Sequence, residues 1–112
     1  MKELIKNKSD FDQILQKLEI RAGQIIEVEE IKKSYTLIKL KVDFEDETRT
    51  VVTNIKPYFE NINDLLDKVF AFIVNLEPAK IMGIESTAMI LPGEIEKDKI
   101  IMLNCQPGTR LL

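Results

Sequence analysis

Residues 75–89 read NLEPAKIMGIESTAM, an apolar stretch interrupted by Pro78 and Gly83. Lys80, Ser86 and Met89 fall within it. A lysine neutralises phosphate, a serine hydroxyl bonds sugar or phosphate oxygens, and methionine offers an adaptable apolar surface to a base. Together they carry the chemistry of a surface that holds a nucleic acid. The plainer reading is a bent edge strand, with Lys80 protecting the sheet edge and Ser86 beside a core methionine.

The rest of the chain narrows the choice. It has no histidine, so a histidine-based triad is excluded, and with a single Cys105 a zinc site is not expected. That lone cysteine cannot form an internal disulfide and fits a reducing compartment. Asp64 and Asp67 read as charges on a helical surface rather than as an acid/base pair. Sixteen basic against nineteen acidic residues give a net charge of −3, whereas a nucleic-acid-binding domain is typically basic. Binding then depends on where the lysines sit, not on their total.

The elements that position these residues come next. At 112 residues, with 45% hydrophobic and 31% charged content, the chain suits one folded domain. The segment MKELIKNKSD lacks the apolar run of a secretory signal, and the longest apolar run, VFAFIV, is too short to cross a membrane. A cytoplasmic protein is expected, with residues 1–8 frayed. In SDFDQILQKL, Phe11, Ile14, Leu15 and Leu18 recur at helical spacing, which predicts a helix over residues 9–18 capped by Ser9. Its apolar stripe calls for a partner, either the domain body or a second copy.

From residue 19 onward the texture is β-rich. IRAGQIIEVEEI predicts a first strand, with Gly23 marking a bulge or a close approach. In YTLIKLKVDF, Ile38, Leu40 and Val42 alternate with Lys39, Lys41 and Asp43. TRTVVTN returns as a third strand, NDLLDK suits a short helix, and KVFAFIVNL is a fourth strand apolar on both faces. AKIMGIESTAMIL predicts one fifth strand bent near Gly83. DKIIMLN predicts a further strand, and QPGTR a closing turn. A small all-β domain follows from this pattern alone.

Four segments, in order, resemble the tRNA-binding domain family. LEIRAGQIIEVE is similar to the family's LDIRVGKIVEVE, and LIKLKVDFEDETRTVVTNI to LYVLKVDLGEEERTIVSGL. NLEPAKIMGIESTAM is similar to NLKPAKLRGVESQGM, and QPGTR to PPGTK. The resemblance covers about Phe11 to Arg110. It implies an all-β fold: a five-stranded OB-fold barrel with an N-terminal helix, a short helix between strands 3 and 4, and a C-terminal β extension. It implies a non-catalytic module without cofactor or metal that binds structured tRNA by shape and backbone contacts. Such a module stands alone or partners methionyl-tRNA synthetase, and stand-alone members are homodimers. The fourth strand, apolar on both faces, points to a homodimer as well.

Residue by residue, the resemblance assigns nucleic-acid contacts to Asn75, Lys80, Ser86, Met89, Lys41 and Arg49. Against these stand ordinary roles: a turn for Asn75, a solvated strand face for Lys41. Arg21 and Gly23 also match and read as structural. Gln24, Met82 and Thr36 stand where the family usually carries a cation, Ala88 where it has glycine, and Thr53 with Asn54 where it has Ser-Gly. Lys32 and Lys33 lie in the same loop as Thr36. A second branch of the family, resembling a protein-secretion chaperone of nearly this length, binds unfolded polypeptide on the same dimeric barrel. The reduced basic charge fits that branch; NLEPAKIMGIES and RTVVTN are closer to the synthetase branch. A third reading is a purely structural dimerisation module.

Overall fold

The computed structural model describes residues 2–92 and 105–111. The two-residue period of IKLKVD becomes strand β2 (Ile38–Asp43), with Ile38, Leu40 and Val42 buried and Lys41 exposed. It pairs antiparallel with β1 (Ile20–Glu30) on one side and β3 (Thr48–Thr53) on the other. Between β2 and β3 the chain reverses through Glu45, whose amide donates to Asp43 Oδ1 at 2.8 Å. After β3 come two 3-10 helices, Lys56–Tyr58 and Ile62–Leu65, where a short helix is expected. Strand β4 (Val69–Ile73) lies between β1 and β7 (Met89–Leu91), giving a curled sheet of order β3-β2-β1-β4-β7. Its Phe70 and Phe72 are buried in the core, and Val69, Ala71 and Ile73 on the other face are half-buried.

Ile25, Leu40, Val42, Phe44, Leu65 and Phe72 fill the curl without solvent exposure, and Phe44 meets Phe72 edge-on at 5.4 Å. Gly23 permits that packing. A Cβ at Gly23 would lie 2.5 Å from Val42 Cγ1 and 2.7 Å from Phe44 Cε1. The bulge in β1 falls later, between Ile25 and Glu27. There the chain after the second 3-10 helix docks, Asp67 N–H donating to the Ile25 carbonyl at 2.7 Å.

The expected single bent fifth strand is three short ones. β5 (Ala79–Ile81) and β6 (Ile84–Ser86) form a separate hairpin, and β7 follows after two residues. The reversal is a two-residue turn with Met82 at φ 50° and Gly83 at φ 79°, the left-handed pair that matches strand twist. Helix α1 spans Lys8–Lys17, one residue earlier than expected, because Asn7 rather than Ser9 caps it: Asp10 N–H donates to Asn7 Oδ1 at 2.8 Å. No residue of α1 is buried. The QPGTR turn is present. It is held against β1 by Gly108 N–H donating to the Ala22 carbonyl and by Arg21, which donates to Gly108 O at 3.3 Å, Phe44 O at 3.1 Å and Asp46 Oδ1 at 3.0 Å. The strand expected over DKIIMLN lies outside the described residues.

Candidate nucleic-acid interface

The curl leaves a seam between its edge strands, β3 and β7, and the hairpin β5–β6 lies along it. Only one backbone bond crosses there among the described residues, Thr87 N–H to the Thr50 carbonyl at 3.0 Å. Side chains complete the closure. Ser86 Oγ accepts the Val52 N–H at 3.0 Å and donates to the Ala88 carbonyl at 3.3 Å. Arg49 donates to the Val74 carbonyl and, at 3.0 Å, to the Thr87 carbonyl, and it is paired with Glu47. Its guanidinium also lies 5.9 Å from the centre of the Phe44 ring, on which Arg21 stacks at 5.8 Å.

Asn75 ties α1 to the barrel. Its Oδ1 accepts the Glu19 N–H at 2.9 Å, and its Nδ2 donates to the Lys17 carbonyl at 2.6 Å. The helix's C-terminal carbonyl thereby gains a partner that the helix cannot supply. Three of the six expected contact residues, Ser86, Arg49 and Asn75, thus have their polar atoms engaged within the fold.

The other three face solvent. Met89 is 53% exposed on the rim of a cleft of about 500 Å³. Ser86, Val52, Asn54 and Leu76 line the same cleft, and among the described residues its one charged lining residue is Glu77. Lys80 sits on the hairpin opposite Glu85, while its neighbours Ala79 and Ile81 line the cleft. Because side chains alternate along a strand, Lys80 and Ser86 occupy opposite faces of the hairpin. Lys41 is exposed on the outer sheet face, cross-strand from Thr50. Among the described residues neither Lys41 nor Lys80 is in an ion pair, whereas Lys39 is held by Glu29 at 3.6 Å. The structure therefore unites Ser86 and Met89 at one cleft and leaves Lys80 and Lys41 as separate exposed cations outside its lining. Leu76, 45% exposed at the cleft, carried no sequence signal, since a leucine beside a turn reads as core.

A family model described as "Putative tRNA binding domain" matches residues 20–110. The chain belongs to the tRNA-binding domain family. This tRNA-binding domain is 40% identical over 106 residues to a methionine–tRNA ligase of Methanocaldococcus jannaschii; the alignment covers 91% of the chain but 16% of the ligase. The chain therefore spans about one-sixth of that curated relative's length. Among solved structures, a MetRS-related protein from Pyrococcus horikoshii superposes with a TM-score of 0.80 at 33% identity, covering 99% of this chain and 100% of the other. The CsaA chaperone protein of Picrophilus torridus gives 0.75 at 27% identity, covering 96% and 100%. The half-barrel of this tRNA-binding domain is thus an OB-like fold. The matched region is an accessory binding domain, not a catalytic one. Among the described residues no helix is long and apolar enough to cross a membrane, and no acidic or cysteine cluster is placed to hold a metal ion.

Proposed function

We propose that the chain is a non-catalytic tRNA-binding module of the cytoplasm, standing alone or serving as a β-subunit-like partner of methionyl-tRNA synthetase. It grips the folded outer surface of tRNA by shape. Lys80 and Lys41 neutralise phosphates outside the cleft, and Met89 packs against an exposed base at its rim. Ser86, Arg49 and Asn75 keep the cleft and the helix in place. The observation that carries this reading is the combination of an exposed Met89 with two cations that form no ion pair among the described residues, in a chain that the family model covers from residue 20 to 110. The module then raises the local concentration of tRNA for an enzyme partner. A gel shift with tRNA at low ionic strength tests it: a concentration-dependent shift supports the proposal, and its absence refutes it.

One observation favours a second reading. Among the described residues the cleft is lined mostly by apolar side chains with a single acidic one, and a CsaA chaperone protein shares the fold. A polypeptide-binding module would use the same cleft for apolar side chains. Binding of a reduced, unfolded protein without any binding of tRNA would select that reading. In both readings the module is a homodimer, supported by Phe11 and Ile14 standing 45% and 43% exposed on a helix with no buried residue.

A further inference from the structure

The loop joining β1 to β2 carries the most exposed large hydrophobic side chain among the described residues, Tyr35, at 94%. An aromatic ring in water gains nothing from its own fold. Yet the loop that presents it has a defined shape. Ser34 N–H donates to the Ile31 carbonyl at 2.9 Å, and Ser34 Oγ accepts the amides of Thr36 and Leu37 at 3.2 and 3.0 Å. The ring borders a cleft of about 610 Å³, within the size range of small-ligand sites. Val28, Phe59 and Ile62 form its apolar lining, and Asn61 and Lys56 border it.

Charge decides what such a cleft accepts. Glu29, Glu30 and Glu60 also line it, so phosphate is disfavoured inside. Glu29 and Glu30 are paired with Lys39 and Lys56, at 3.6 and 3.8 Å. Just before Tyr35 in the same loop, Lys32 and Lys33 are exposed and form no ion pair among the described residues. An uncharged base suits the cleft, where amides and a carboxylate can accept from its amino groups, while its phosphates stay over the two lysines. The cleft shares no lining residue with the one bearing Met89, but residues close in sequence line the two. Leu37 and Ile55 line that one; Tyr35 and Lys56 line this one.

We infer that Tyr35, with Lys32 and Lys33, forms a stacking site for an unpaired nucleotide of the bound RNA. This rests on the tRNA-binding reading above and adds a second point of contact to it. The test measures tRNA and a short single-stranded oligoribonucleotide against wild type, Tyr35→Ala and Tyr35→Phe, with an unfolded polypeptide alongside. The expected result is about a fivefold to hundredfold loss of RNA affinity in Tyr35→Ala, retained affinity in Tyr35→Phe, and unchanged melting temperatures. Wild-type binding of tRNA with equal affinity in Tyr35→Ala overturns this site alone. No tRNA binding by wild type overturns the functional reading and this site with it. Tyr35-dependent binding of the polypeptide only would assign the cleft to protein and overturn the inference.

Discussion

The Ser86 hydroxyl lies 3.0 Å from the Val52 amide and takes the place of a strand partner along the open side of the sheet. β3 would otherwise leave a buried N–H unpaired beside the cleft. Ser86→Ala removes that acceptor without adding volume. A loss of about 1–3 kcal/mol is expected from the stranded donor. Thermal unfolding should show it as a melting point lowered by several degrees. An unchanged melting point would mean that Ser86 does not close the seam.

Asn75 gives a second, more local expectation. It is the side chain that joins the end of α1 to the barrel, through Lys17 and Glu19. Asn75→Ala should loosen the helix while the sheet stays intact. Amide hydrogen exchange should then quicken over residues 8–19 and remain slow in β1, β2 and β4. Uniformly faster exchange would place Asn75 in the global fold instead.

Gly23 is defined by the lack of a side chain. Gly23→Ala would drive a methyl into Val42 and Phe44, both fully buried. Overpacking of this kind costs about 1–3 kcal/mol. Denaturant unfolding should move the midpoint down with little change in slope.

The outward stripe of α1 predicts association. Replacing Phe11 and Ile14 together by aspartate should convert a homodimer to a monomer in sedimentation, with little loss of barrel stability, because neither residue is buried. A wild type that is monomeric at all concentrations would contradict this.

How legible these features were depends on whether a residue's partner is near in sequence. The alternation in IKLKVD and the two apolar faces of VFAFI fix β2 and β4, since each follows from local spacing. The hairpin turn was hidden because its first residue is Met82, where Asn or Asp would announce a left-handed conformation. Asn7 outcompeted Ser9 as a cap because both types suit the position and only geometry chooses. Ser86 and Arg49 read as ligand contacts, yet Ser86 bonds to an amide 34 residues away and Arg49 to carbonyls 25 and 38 residues away. A serine in a strand has the same spelling whether it faces solvent or a neighbouring backbone. Met89, Lys41 and Lys80 stayed outward, where strand alternation puts them.

In the proposed function, a chain with a surplus of carboxylates grips tRNA through a few placed cations. A salt titration of tRNA binding tests it most directly, with wild type, Lys41→Ala, Lys80→Ala and Met89→Ala measured side by side. Affinity should fall linearly on a double logarithmic plot, and each lysine variant should flatten the slope by about 0.7–0.9. Met89→Ala should weaken binding equally at every salt concentration and leave the slope unchanged. Slopes identical in wild type and both lysine variants, or no binding at the lowest ionic strength, would refute the proposed role of these lysines.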